Sequence, residues 1–240
     1  MKFRFKIQPF QTEAAESVVR AFTGQPNVGL SPYRRDIGSE NNLTESERLE
    51  RRGSMPLLHS ALSEEEKQVI ESEYETAYRN EPLQLSPEEL LKNIRAVQTA
   101  NNIKCSAHLA DGLGAVSLDV EMETGTGKTY VYIKTMFELH KAYGWSKFIV
   151  VVPSIAIREG VKKSFEMLED HFMQIYGLKA RHFIYDSTNL RQLDEFSQNS
   201  GIDVMIINMQ AFNASMNEDK NSPGRSGNAA ARIIYTRRDE

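Results

Sequence analysis

The sequence predicts an α/β fold, a parallel doubly wound sheet with a mainly helical or irregular insertion ahead of its first strand. Three observations carry this. After Gly114, short apolar, β-branched runs alternate with amphipathic helical runs, the pattern of βα units on a parallel sheet. A glycine-rich turn, Thr124-Gly125-Thr126-Gly127-Lys128-Thr129, joins an apolar run (residues 115–122) to a helical run (130–142). Between residues 25 and 114 the strand–helix alternation is missing, and part of the stretch is strongly acidic. The chain therefore divides into an N-terminal helix (1–24), an acidic helical or irregular insertion (25–114) and a sheet-forming lobe (115–240).

The elements follow in order. Ala15, Val18, Val19 and Phe22 recur at helical spacing over residues 12–22, with Thr12 placed to cap and Gly24 to stop the helix. Residues 25–60 lose periodicity and carry Pro26, Pro32, Gly38, Gly53 and Pro56, as an irregular segment does. Ser63-Glu64-Glu65-Glu66 supplies a cap and an acidic first turn for a helix running to Tyr78. Ser86-Pro87-Glu88-Glu89 repeats that signature for a helix ending near Asn101. This acidic middle is either a solvated excursion or a docking surface for a partner. Next come a strand at 116–122, a helix at 130–142 and a strand at 148–152. The following helix presents Ile157, Val161, Phe165, Leu168 and Phe172 on one face. A strand at 182–186, a helix at 190–196 and a strand at 204–207 complete the pattern. Residues 217–228 are polar and rich in Gly, Pro and Ser, and 229–240 are too few to anchor much.

Composition sets the class. At 240 residues, 40% hydrophobic and 26% charged, the chain reads as a soluble globular protein large enough for a sizeable core. Its one cysteine, Cys105, excludes an intramolecular disulfide and a multi-cysteine metal site. The five histidines lack metal-ligand spacing. The N-terminus has no secretory signal and no apolar run reaches 18 residues, so the expectation is a cytoplasmic protein with no membrane contact. The net charge is −4, unevenly placed: residues 40–75 hold ten acidic residues against four Lys/Arg, leaving 25 basic and 23 acidic elsewhere. Charge alone neither invites nor excludes nucleic acid.

The glycine-rich turn carries the chemistry. Gly125 and Gly127 can take positive φ and leave no Cβ in the way, so the backbone N–H groups of Thr124 through Thr129 can face a polyphosphate. The helix behind them adds its free donors and positive dipole end. Lys128 can reach the β- and γ-phosphates, which makes it the candidate catalytic residue, and the Thr129 hydroxyl can ligate Mg²⁺. The strict phosphate-loop pattern wants glycine where this chain has Met122; the Thr-Gly-x-Gly-Lys-Thr core is the helicase-like form. ATP and Mg²⁺ are the expected ligands.

Two flanking segments narrow the class. Gln11, in Gln8-Pro9-Phe10-Gln11, offers an amide able to read an adenine edge through one donor and one acceptor, or is an ordinary surface glutamine. In Val150-Val151-Val152-Pro153-Ser154-Ile155-Ala156-Ile157-Arg158-Glu159 a buried strand ends at a proline and a helix starts. That start, with Ser154 and Arg158, either holds a DNA phosphate or is a plain βα turn; Lys162 and Lys163 extend the contact or form a solvated face. Asn208 and Gln210 cap a turn or face nucleic acid.

Together these residues resemble the Res subunit of type III restriction–modification systems, a superfamily 2 helicase-like ATPase. The likeness runs from Phe5-Lys6-Ile7-Gln8-Pro9-Phe10-Gln11 to about Ile234. It is sharpest in Glu121-Met122-Glu123-Thr124-Gly125-Thr126-Gly127-Lys128-Thr129, in residues 151–160 and in Ile206-Ile207-Asn208-Met209-Gln210-Ala211-Phe212-Asn213. The resemblance implies a RecA-like ATPase lobe, double-stranded DNA as substrate and a modification methyltransferase subunit as partner. It places Gln11 at the adenine, Lys128 at the phosphates, Thr129 at magnesium and Ser154 at the DNA backbone.

The family also needs an acidic box on a strand beside the phosphate loop. The one Asp-Glu pair, Asp239-Glu240, follows Arg237-Arg238 rather than an apolar strand and does not fit. The expectation is an N-terminal piece of a longer enzyme: an ATP-binding first motor lobe, largely inactive alone, with translocation and endonucleolytic cleavage belonging to the complete subunit. The alternatives are another superfamily 2 helicase or translocase, a nucleotide-binding remnant without activity, and a small-molecule kinase.

Overall fold

A computed structural model describes residues 5–36, 74–110, 116–186 and 189–212. The first helix, α1, spans Pro9–Ala21 with Pro9 at its first position. A proline there supplies a ready helical φ and forgoes a donor that would be unpaired anyway, so the helix starts a turn before the expected cap, Thr12. A strand pair follows, β1 (Leu30–Asp36) and β2 (Tyr74–Asn80), antiparallel from Leu30↔Asn80 to Asp36↔Tyr74. Two expectations are corrected here. Part of the segment read as irregular is strand β1, and the helix read from Ser63 to Tyr78 is strand at its end. Tyr74, Thr76 and Tyr78 are strand formers at period 2, and that local pattern prevails; residues 63–73 lie outside the described residues. So do 217–240, with their polar stretch and the Asp239-Glu240 pair.

Helix α2 (Pro87–Ala100) opens on a full capping box: Ser86 Oγ accepts from Glu89 N at 3.2 Å, and Glu89 Oε2 accepts from Ser86 N at 2.9 Å. Each bond satisfies an N–H that the helix cannot. Ala21, Phe22, Leu90 and Tyr143 are buried together, with Val18, Ile94 and Trp145 packed against them. Buried Gln25 fixes the chain between α1 and α2, donating to Pro82 O at 3.1 Å and accepting from Gln84 N at 2.8 Å.

The sheet lobe holds α3 (Lys128–Tyr143), β3 (Lys147–Val152), α4 (Ile155–Tyr176), β4 (Arg181–Ile184), α5 (Leu190–Gln198) and β5 (Asp203–Asn208). Its three strands are parallel in the order β3–β5–β4. The chain crosses outward from β3 to β4 through α4 and returns to the middle through α5. Crossovers of one hand running in opposite directions put their helices on opposite faces. Accordingly Tyr130, Ile133 and Phe137 of α3 and Val161, Phe165, Leu168 and Phe172 of α4 pack with Val204 and Ile206. Leu193 and Phe196 of α5 pack with Met205 and Ile207 on the other face. The α/β class and the parallel sheet stand as expected. Ile157 does not join the core face of α4: it lies 48% exposed on the first turn, beyond the sheet edge.

The three strands begin on one ionic cluster. Lys147, Asp203 and Arg181 are in register across the sheet. Fully buried Asp203 accepts from Arg181 Nε at 2.8 Å, Lys147 Nζ at 2.9 Å and Asn199 Nδ2 at 2.8 Å. Burial pushes the Lys147 ammonium pKa down while Asp203 pulls it back up.

The run expected as the strand before the glycine-rich turn is the main departure. Residues 118–123 join no sheet, and Ser117 makes only an isolated bridge with Ala110. A strand needs a neighbour to take its ladder bonds, and among the described residues none lies beside this run.

Candidate functional site

The glycine-rich turn leads directly into α3. Gly125 and Gly127 adopt φ of +84° and +90°, conformations that a side chain resists. Gly127 is the N-cap and its carbonyl accepts the first helical bond, from Val131 N at 3.0 Å. Thr126 ties the turn shut, its hydroxyl donating to Glu123 O at 2.7 Å. Helix α3 ends at Gly144, and β3 begins three residues later. The end of α3 is therefore at the amino edge of the strands and its start at the carboxyl edge. Helix α4 starts at that same edge, directly after β3, the edge at which open α/β sheets take ligands.

Gln11 reaches the turn from α1. Its Nε2 donates to Thr126 O at 2.8 Å, and a Cβ built on Gly127 would lie 2.5 Å from that nitrogen. Sequence reasoning offered an adenine reader or a surface residue; in the structure the amide is fastened to the loop. Lys128 and Thr124 are exposed, and Thr129 is half-buried on the first turn of α3. Ser154 caps α4, accepting from Ile157 N at 3.4 Å. Arg158, one turn on, donates through Nη2 to Glu159 at 3.2 Å. The structure thus joins Gln11 to the loop and sets Ser154 and Arg158 at the neighbouring helix start.

The observations that bear on ligand fit are a cradle and a set of orphans. A Cβ on Gly125 would meet nothing within 4 Å, so the backbone there is open to a ligand. Three buried side-chain atoms among the described residues have no hydrogen-bond partner: Thr12 Oγ1, Tyr132 Oη and Arg158 Nε. They belong to the residue after Gln11, a residue one turn beyond Thr129, and the first turn of α4. Unpaired buried donors and acceptors are rare and ask for a cause such as a missing ligand. Burial raises the Tyr132 phenol pKa, and the Thr129 hydroxyl opposes that rise. Sequence inspection named Thr12 only as a helix cap and did not single out Tyr132, because only packing shows that a hydroxyl is orphaned. No group of three His, Cys, Asp or Glu among the described residues is arranged to hold a metal. No described helix is long and apolar enough to cross a membrane.

Residues 4–234 match the family model described as type III restriction enzyme, res subunit. The chain belongs to that family. The EcoP15I Res subunit of Escherichia coli is 42% identical over 112 residues, covering 45% of this chain and 11% of that protein. The EcoPI Res subunit of Escherichia phage P1 is 32% identical over 156 residues, 59% of this chain and 16% of that protein. The StyLTI Res subunit of Salmonella typhimurium is 40% identical over 122 residues, 43% and 12% respectively. The matched part of this chain is thus a small share of each relative's length. Membership of the Res family bears out the resemblance read from the loop and its flanking segments.

Proposed function

We propose that this Res-family chain is an ATP·Mg²⁺-binding motor lobe, serving ATP-dependent translocation along double-stranded DNA and its cleavage in a complete enzyme with a modification methyltransferase subunit. The observation that carries this is the loop geometry: two left-handed glycines at the start of a 16-residue helix, clasped from outside by Gln11. In this reading the N–H groups of residues 124–129 receive the phosphates. The Lys128 ammonium meets the β- and γ-phosphates, and Gln11 meets the adenine. Thr129 holds Mg²⁺, which when bound neutralises phosphate charge. Ser154, Arg158 and the free N–H groups of α4 form the nucleic-acid side of the carboxyl edge, where a phosphate would also satisfy Arg158 Nε.

Turnover by these 240 residues alone is expected to be negligible, since charge-stabilising groups supplied in trans are worth on the order of 10³-fold or more in such enzymes. The test is titration with a fluorescent ATP analogue and Mg²⁺, alongside ATPase assays with and without duplex DNA. Saturable binding with little hydrolysis supports the proposal; vigorous DNA-stimulated hydrolysis contradicts the divided-site part of it, and absent binding contradicts the whole.

A further inference from the structure

A groove of about 630 Å³ lies between α1, α2 and the run that leads into the glycine-rich turn. Its apolar lining includes Ala14 and Val18 of α1, Ile94 and Val97 of α2, and Leu118 and Met122 of the run. Phe10, Ile103 and Val120 also line it while remaining 47%, 57% and 48% exposed, so apolar surface continues from the groove into solvent. Its charged lining is of one sign. Glu13, Asp119, Glu121 and Glu123 bring carboxylates, and no Lys or Arg lines the groove among the described residues. None of the four carboxylates has an ion-pair partner there. The walls are fastened in place. Arg95 of α2 donates to Ser106 O and Ala107 O, each at 2.8 Å, and Gln98 donates to Ser106 Oγ at 2.8 Å and accepts from Ser106 N at 2.9 Å. Asn93 ties α2 to the end of α1, donating to Ala21 O at 3.3 Å and Thr23 O at 2.8 Å. The third wall has donors and acceptors to spare. Val116, Leu118 and Met122 are half-buried while Ser117, Asp119, Glu121 and Glu123 are exposed, the period of two of an extended chain. Residues 118–122 nevertheless make no main-chain hydrogen bond among the described residues.

We propose that this groove docks an extended protein segment of alternating apolar and Lys/Arg residues, which adds as a strand along residues 118–122. A row of unpaired N–H and C=O groups is a template for such a strand, and pockets beside it select alternate side chains. The apolar side chains of the segment fill the groove, covering surface that is otherwise left to water. Its cationic side chains meet Glu13, Asp119, Glu121 and Glu123, so charge complementarity sets the kind of partner. The same four carboxylates repel phosphate, which sets this face apart from a nucleic-acid surface. Docking here requires no bound nucleotide.

The experiment follows the fluorescence anisotropy of a labelled peptide of alternating lysine and valine. It is titrated with the unmutated protein, with Asp119→Lys/Glu121→Lys, and with Glu88→Lys/Glu166→Lys, which makes the same charge change outside the groove. The unmutated protein should bind saturably. The groove variant should bind about tenfold more weakly, the combined range of two exposed ion pairs, and the control variant should stay within about twofold. A peptide N-methylated along one edge, which cannot form ladder bonds, should bind the unmutated protein more weakly than its parent; this comparison stands even where the groove variant fails to fold. Absent binding by the unmutated protein, or equal losses in the two variants, overturns the docking site. Undiminished binding of the N-methylated peptide overturns strand addition, and equal binding of a glutamate–valine peptide overturns the cationic partner.

Discussion

At the scale of single residues, the Gln11–Thr126–Gly127 contact governs the shape of the loop. Gly127 is constrained twice, by its φ of +90° and by the Gln11 nitrogen 2.5 Å from where a Cβ would stand. Gly127→Ala should therefore weaken nucleotide binding at least about tenfold and cost about 1–3 kcal/mol of stability, the usual range for a residue forced into left-handed backbone. The double change with Gln11→Ala should recover part of the stability loss but not the binding, because the clash is with a side-chain end while the backbone strain remains and the Gln11 amide is gone. Denaturant titrations on the two variants check this; equal stability losses would show that Gln11 does not press on Gly127. The glycine spacing and Lys128 were plain in the sequence. The identity of the group Gln11 touches was not, since the two lie 115 residues apart.

Among the elements, the three parallel strands are fastened at their amino ends by Asp203. Removing one partner of a buried ion pair leaves an uncompensated charge and costs about 3–5 kcal/mol. Asp203→Ala should approach that cost, since Lys147, Arg181 and Asn199 all lose an acceptor. Arg181→Ala, on a half-exposed side chain, should cost about 1 kcal/mol or less. Urea unfolding of both variants decides it, and a mild Asp203→Ala would contradict the clamp. The elements of this lobe were legible because α3 to β5 show strong periodicity and short connections. Strand β2 was misread because Ser63 and its acidic neighbours look like a helix start, whereas pairing with β1, far back in the chain, makes Tyr74–Asn80 extended. The strand read at residues 116–122 did not form, because strand formation depends on a neighbour that composition does not reveal. Ile157 shows a similar limit: helical phase placed it with Val161, while the position of the sheet edge leaves it outside.

For the molecule as a whole, three histidines set a pH dependence. Burial is the main cause that lowers the pKa values of His140, His171 and His182 below the ordinary imidazole value. A depressed imidazole pKa in the folded state means the unfolded chain takes up the proton first. Their contribution is thus intact above the unfolded value, about 6.5, and declines as pH falls below it toward the folded values. The melting temperature should drop between pH 7 and pH 5.5. Replacing His171, which bonds the Tyr130 hydroxyl at 3.0 Å, with Gln should flatten part of that slope; an unchanged slope would remove His171 from the account.

The turn at the start of α3 is proposed as a nucleotide site worked by Lys128, and direct titration of ATP·Mg²⁺ by calorimetry tests that most directly. The unmutated protein should bind one equivalent and gain thermal stability in proportion to ligand. Lys128→Ala, exposed and therefore harmless to folding, should lose both effects while melting at the same temperature without ligand. Undiminished binding by Lys128→Ala would place the site elsewhere on the molecule.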